Sequence, residues 1–387
     1  MTTFAKKRYM NYIHQSPDWP NFTWDKDLIS GRLAEVNKSA GFLAGRLSTI
    51  GFDARMGAVV ETVTHDVLSS SEIEGVVLNA DSVRSSVARR LGVDIPDKGD
   101  SSHYIDGVVE MMLDATANYD APLTDERLFG WHNCLFPTGR SGYSVIDVAK
   151  YRSVDMKVVS GSFGREKVHY QAPSPELVSG EMSVFLDWFN SADTPKTYIK
   201  SAIAHLWFVC IHPFDDGNGR IGRAIADMAL SQADDSQMRF FSMSRHINAD
   251  KKSYYEVLER VQKGGCDITL WLEWYLDCMS RAVAASGAML SQVLNKALFW
   301  QTHAEDSITE REKEVLNRYL SGYSGKLNSK NWARLAKVSV DTAARDIRHL
   351  TEAGVLVPQP GRVRDVSYGI NCSENVLLVP GLADEMK

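Results

Sequence analysis

Residues 202–223 constrain this chain more than any others. Ala202 to Cys210 reads Ala-Ile-Ala-His-Leu-Trp-Phe-Val-Cys, almost wholly apolar, and runs straight into Ile211-His-Pro-Phe-Asp-Asp-Gly-Asn-Gly-Arg-Ile-Gly-Arg223. Beyond that polar stretch, Ile221, Ile225, Met228 and Ala229 recur at helical spacing, so a helix resumes from Ile221 to Ser231. The fold must therefore place a glycine-rich polar turn between two buried helices. Such a turn weakens a core unless it binds something.

The loop's residue types suit phosphate. Gly217-Asn218-Gly219 precedes a helix, so free backbone N–H groups and the positive end of the dipole converge where an anion would sit. Arg220 and Arg223 are three apart on the first turn, share a face and can fork around more than one phosphate. Asp215 or Asp216 could hold a magnesium ion, which takes one or two carboxylates with phosphate oxygens and water. His212 titrates near neutrality and can accept a proton from an attacking hydroxyl. Phe214 alternates with these polar groups and should anchor the loop in the core. The ordered set of base, metal carboxylate, anion nest and arginine pair gives a combined reading of phosphoryl or nucleotidyl transfer, weighed against a plain solvent-exposed turn, and neither a P-loop nor a strand-borne GxGxxG is present.

The rest of the chain reads as mostly helical. At 387 residues and 44% hydrophobic content it has room for two or three ordinary domains. A net charge of -6 gives no whole-chain argument for nucleic acid or an anionic membrane. The start lacks an apolar segment of signal-peptide type, and no uncharged run approaches the ~20 residues that span a bilayer. The five scattered cysteines include no CxxC pair, which argues against a disulfide framework or zinc site and for a reducing, cytoplasmic setting.

In the N-terminal part, Asp25 can cap a long helix with Leu28, Leu33, Val36, Phe42, Leu43 and Leu47 on its apolar face. A second helix is expected from Ala54 to Leu68, and Ser69 to Gly75 reads as its end, with glycine at C′. Two acids so late in a helix oppose its dipole, hinting that Glu72 or Glu74 has a cationic partner elsewhere. Asn79 starts the next helix, toward Arg90. Downstream, Tyr151 to Val159 alternates, 160–164 turns, and Lys167 to Tyr170 returns as a hairpin whose edge could accept an extended peptide.

His212 to Arg223 resembles the Fic-family motif HxFx(D/E)GNGRxxR at every defined position, and the likeness extends through Tyr151-Arg152 and the hairpin to Tyr254-Tyr255. The resemblance implies a mostly α fold: a Fic-type helical core with a small β-hairpin flap. It further implies transfer of AMP from ATP to a Ser, Thr or Tyr hydroxyl of a protein, self-modification included. On that reading His212 is the base and Asp216 holds Mg²⁺. Gly217, Asn218 and Gly219 bind the α-phosphate region, Arg220 and Arg223 the β- and γ-phosphates, and Tyr254, Tyr255 and Gln262 line the adenine pocket. The 153–171 hairpin would align the target. Ser70 to Gly75 also resembles the family's inhibitory motif (S/T)xxxE(G/N), which would pair Glu74 with Arg223 and exclude a productive ATP pose.

At the other end, Thr309 and Glu312 suit a capping box, and 331–350 read as helix, turn, helix followed by two strands of a wing. Arg345, Arg348, Arg362 and Arg364 would lie on the recognition helix and wing, while Asp341, Asp346, Glu352 and Asp365 offset them. DNA binding and protein contacts, homodimer formation among them, both fit this winged helix-turn-helix. The expected organisation is a helical N-terminal domain with the inhibitory segment (1–95), the Fic core (96–303) and the winged helix (304–387). Rival readings are a nucleotide-sensing DNA-binding regulator with little turnover, a transferase using another donor, and an enzyme that removes AMP. The intact His212 beside an intact GNGRxxR favours an enzyme over the regulator.

Overall fold

The computed structural model describes residues 12–48, 51–94, 101–161, 164–304, 306–320, 323, 325–359, 366–372 and 375–377. The chain forms two compact units, 1–286 and 287–387. Among the described residues it is mostly helical, and the strands form only small antiparallel sheets. In order, the elements are α1 (Lys26–Ser48), α2 (Phe52–Ile73), α3 (Ala80–Leu91), α4 (His103–Ala117), α5 (Asp125–Leu135), β1 (Arg140–Ser141), β2 (Ser144–Val145), β3 (Lys157–Ser160), β4 (Lys167–Gln171), α6 (Pro175–Asn190), α7 (Tyr198–Ile211), α8 (Asn218–Asp234), α9 (Met243–Ala249), α10 (Lys251–Gln262) and α11 (Thr269–Thr302). Then come α12 (Glu310–Leu320), α13 (Ser329–Ala336), α14 (Val340–Glu352), β5 (Leu356–Pro358), β6 (Tyr368–Cys372) and β7 (Asn375–Leu377).

The first unit is built around α7 and α8, which pack on each other at its centre. All of α7 except Ile199 is buried, so this helix is enclosed on every side, as its almost wholly apolar run requires. Asp25 caps α1 as expected, its carboxylate accepting from the N–H groups of Asp27 and Leu28 at 3.1 and 3.0 Å. The buried stripe of α1 is Ile29, Val36, Ala40, Leu43 and Leu47. Leu28 and Phe42, expected on that face, stand 42% and 68% exposed because each lies one position, or about 100°, off it.

The second helix differs more from expectation. It runs through Ser69 to Ile73 rather than stopping at Leu68. Ser69, Ser70 and Ser71 are buried, and their small side chains let α2 lie close to its neighbours. Gly75, at φ +81, does end it: its N–H bonds Glu72 O at 2.9 Å and that of Val76 bonds Ser71 O at 3.0 Å.

The hairpin is shorter than the alternation suggested. Only Lys157–Ser160 pairs with Lys167–Gln171. Residues 151–156 leave the ladder because Arg152, 2% exposed, ties them to the central loop. Its Nε donates to His212 O at 2.8 Å, its Nη2 to Pro173 O at 2.6 Å, and its backbone N–H to Pro213 O at 2.9 Å. The short β1–β2 ladder and α9 had no counterpart in the sequence reading.

In the second unit, the Thr309 and Glu312 capping box forms, with bonds of 2.8 and 3.3 Å. Helices α12 to α14 and the sheet β5–β6–β7 enclose a core that includes Leu316, Trp332, Leu350 and Leu356. Asp346 turns inward, where it is paired with Arg311 at 2.7 Å and accepts from Trp332 Nε1 at 3.1 Å. Arg345 and Arg348 are exposed on α14, whereas Arg362 and Arg364 lie outside the described residues.

Candidate active site

His212 ends α7 in the left-handed region, at φ 52° and ψ 57°. A non-glycine residue pays roughly 1–2 kcal/mol for that conformation, so the surrounding structure must hold it there. Its Nδ1 lies 3.2 Å from Val209 O. A carbonyl can only accept, so Nδ1 carries the proton and Nε2 keeps a free lone pair. Burial pushes the imidazole's pKa below its usual value, and the Arg152 guanidinium pushes the same way. His212 is thus a neutral base.

The loop beyond it is closed on itself. Phe214 is fully buried and stacks on His132, with ring centres 4.3 Å apart. Asn218 clamps Phe214 twice: Oδ1 accepts from its N–H at 2.9 Å and Nδ2 donates to its carbonyl at 2.8 Å. The Asn218 side chain therefore shapes the loop from within. His132, beneath the turn, accepts from Ala149 N through Nδ1 at 3.2 Å and so donates from Nε2 to Asp216 O at 3.1 Å. Burial holds its pKa down to about 4, which keeps this arrangement neutral. Gly217 sits at φ +84, and a Cβ there would approach the Phe136 ring to 2.9 Å.

The two arginines, expected to share a face, have different partners. Arg220 Nη1 donates to Tyr104 Oη at 2.7 Å, its guanidinium lies over the Phe136 ring at 5.0 Å, and Nη2 reaches Asp216 at 3.4 Å. Arg223 turns to the end of α2. Its Nε donates to Ser70 Oγ and its Nη2 to Ser70 O, both at 2.8 Å, and Nη2 also reaches Glu74 Oε1 at 2.8 Å. Packing separates them: α4 and α5 meet α8 where Arg220 emerges, and α2 where Arg223 does.

Glu74 does more than pair with Arg223. A Cβ built on Gly219 would stand 2.2 Å from Glu74 Oε1. The carboxylate therefore rests against the first turn of α8, where unsatisfied N–H groups and the helix dipole favour negative charge.

These groups border a cavity of about 780 Å³. Glu74, His212, Asp216, Gly217, Asn218 and Gly219 form one wall, and Tyr254, Tyr255 and Gln262 of α10 another. Tyr254 is 2% exposed and bonds His205 Nε2 through its hydroxyl at 2.8 Å, so α10 is fixed. Tyr255 keeps 41% of its surface open. Ser70, Arg220 and Arg223 do not line the space. Sequence reasoning missed Lys157, Lys167, Lys251 and Lys252, which do. Their signal, positive charge flanking the hairpin turn and opening α10, acquires meaning only once both elements face one cavity.

Asp216 accepts from Gly217 N–H at 2.5 Å and from the Ser141 hydroxyl. Asp215 Oδ2 accepts from Asp147 N–H at 2.9 Å, and its Oδ1 is buried without a partner. No group of three potential ligands for a metal occurs among the described residues. A metal here would therefore take one or two protein carboxylates and owe its remaining ligands to phosphate and water, the ordinary habit of Mg²⁺.

The site is an anion-accepting helix terminus with a neutral base beside it, set in a helical domain. Residues 122–230 match the Fic/DOC family, and residues 12–93 match a domain of unknown function (DUF4172). The Fic/DOC match thus spans the segment that carries β3, β4, α7 and His212 to Arg223. It is 24% identical over 236 residues to protein adenylyltransferase Fic of Nematostella vectensis, covering 59% of this chain and 49% of that protein. It is 29% identical over 124 residues to the uridine 5'-monophosphate transferase of Xanthomonas campestris pv. campestris (strain 8004), covering 30% and 22%. The chain thus spans about half or less of these curated relatives. Among solved structures, a Fic family protein from Desulfovibrio desulfuricans G20 shares the fold, with a TM-score of 0.51 at 20% identity over 89% of this chain and 95% of that one.

Proposed function

We propose that the protein transfers AMP from ATP to a hydroxyl side chain of a target protein, and that Glu74 restrains this activity. One observation carries the reading: the Glu74 carboxylate rests on Arg223 and against Gly219, in the cavity that His212 lines. A phosphate chain would take the place of that carboxylate, since both are anions answered by the same guanidinium and N–H groups. Gly217 and Gly219 then present backbone to the α-phosphate region, with Asn218 holding their shape. Arg223, released from Glu74, meets the terminal phosphates, and Arg220 steadies the loop through Asp216. Tyr254, Tyr255 and Gln262 receive the base.

His212 Nε2 removes the proton of the attacking hydroxyl as its oxygen bonds to the α-phosphorus and pyrophosphate departs. Asp216 would hold Mg²⁺, which when bound neutralises phosphate charge. The exposed residues of β3 and β4 support alignment of an extended target segment along the hairpin.

The test is mass spectrometry of lysate proteins incubated with ATP and the Glu74→Gly form. Additions of AMP on Ser, Thr or Tyr are expected; no addition, or an adduct from another donor, sinks the assignment. The uridine 5'-monophosphate transferase similarity is why UTP belongs in a parallel reaction.

The second unit we read as a winged helix-turn-helix, with α14 as its recognition helix. Exposed Arg345 and Arg348 support contact with DNA phosphates. A DNA-binding assay repeated across salt concentrations checks it: affinity must fall with a log–log slope of about -0.9 per phosphate contact. No salt-dependent binding assigns the unit to protein contacts instead. No helix among the described residues is long and apolar enough to cross a membrane.

A further inference from the structure

The hairpin carries chemistry that none of the roles above uses. In the β3–β4 ladder Val158 pairs with Tyr170 and Val159 with Val168, which leaves His169 as an extra residue on β4. Such a bulge re-aims one side chain, and here it turns His169 between two partners. His169 Nδ1 lies 2.6 Å from Glu259 Oε2 on α10, and Nε2 lies 2.5 Å from Ser160 Oγ on β3. The carboxylate can only accept, so Nδ1 carries the proton and Nε2 accepts from the Ser160 hydroxyl. Burial opposes the charge on Glu259, but hydrogen bonds from Lys263 and His169 outweigh it and hold the pKa down to about 2. Nucleophile, base and orienting carboxylate thus stand in the order that activates a serine. Ser160 is exposed, and Ser160, His169 and Glu259 line the same cavity as His212.

We propose that Ser160 is an acceptor of self-adenylylation, with His169 as its own base and Glu259 as the residue that orients it. The inference rests on the transfer activity proposed above and adds its internal substrate. Ser160 Oγ bonds to the α-phosphorus of ATP, the bond from that phosphorus to the pyrophosphate oxygen breaks, and the hydroxyl proton passes to His169 Nε2. An acceptor fixed in the donor's cavity has the advantage of high effective concentration over a protein arriving from solution. Lys157, before the turn, places positive charge beside it for the polyphosphate, while Lys167 lies 3.5 Å from Glu259.

The Glu74→Gly protein, incubated with ATP and cut by trypsin, yields a 158–165 peptide whose hydroxyl residues are Ser160 and Ser162. Fragmentation should place AMP on Ser160. Ser160→Ala in the same background should remove it, Ser160→Thr should retain it, and His169→Gln should lower its occupancy at least tenfold. A relay that merely pins the hairpin to α10 would leave the peptide unmodified in every form. If lysate proteins are labelled while 158–165 is not, or if His169→Gln labels Ser160 as before, this proposal falls and the transfer activity stands. If neither is labelled, the transfer activity falls and this inference falls with it.

Discussion

The loop from His212 to Gly219 and the end of α2 from Ser69 to Gly75 meet at Arg223, yet they are built in opposite ways. The loop is locked from inside: Asn218 clamps Phe214, Phe214 stacks on His132, and Arg152 holds the carbonyl of His212. Its tension is stored in the left-handed His212, which these ties keep in place. The end of α2 is an ordinary Gly-terminated helix end, with the Glu74 side chain 29% exposed at its tip. Its reach across the loop is a single carboxylate. On the proposed function this difference makes the loop a rigid receptor and Glu74 a releasable plug. The receptor would then keep its shape when the plug leaves, because the same groups would serve the nucleotide.

The comparison can be broken most severely at the base. His212→Ala should reduce transfer to protein targets by about 10²–10⁴-fold with the fold intact, measured as AMP incorporation beside a thermal melt. A loss under threefold would remove His212 from the chemistry. Next, Asn218→Ala should lower stability by about 1–3 kcal/mol, since it strands a buried N–H and carbonyl of Phe214. A denaturant titration that shows no change would mean that the loop is not held from inside. On the plug side, Ser70→Ala takes away the hydroxyl that accepts from Arg223 Nε. It should raise transfer less than loss of Glu74 does, because Glu74 carries the charge.

The smallest effect is on pH dependence. His212 must be neutral to accept a proton, and burial lowers its pKa from 6.5. Transfer should therefore stay on as pH falls through 6.5 and decline only on the acid side of it, in a pH–rate profile at saturating ATP. A decline centred above 6.5 would contradict the environment described for the imidazole.

Much of the receptor was legible in the residues, and little of the plug. The apolar run of α7 and the glycines of the loop announce a buried turn that opens a helix, and Phe214 fell in the core as its alternation required. The Glu74–Arg223 contact spans 149 positions, and nothing local in Ser69 to Gly75 distinguishes it from a helix stop. The mild mismatch of late acids with the helix dipole was the sole physical hint; the family resemblance supplied the partner. Helical spacing put the two arginines on one face but fixes direction only to within the reach of a long side chain, and Tyr104 holds Arg220 apart from Arg223. Alternation likewise overextended the first hairpin strand, where a buried Arg152 had other carbonyls to satisfy. The Ser160–His169–Glu259 relay was hidden for a similar reason, since a bulge and a distant helix assemble it.

If Glu74 occupies the place a nucleotide phosphate needs, its loss must release transfer. Incorporation of α-labelled AMP by wild type and by Glu74→Gly, at equal protein and ATP, tests it most directly. A rise of about 5–150-fold is expected on loss of Glu74, the range of a coupling of about 1–3 kcal/mol. Equal labelling of the two forms would contradict it.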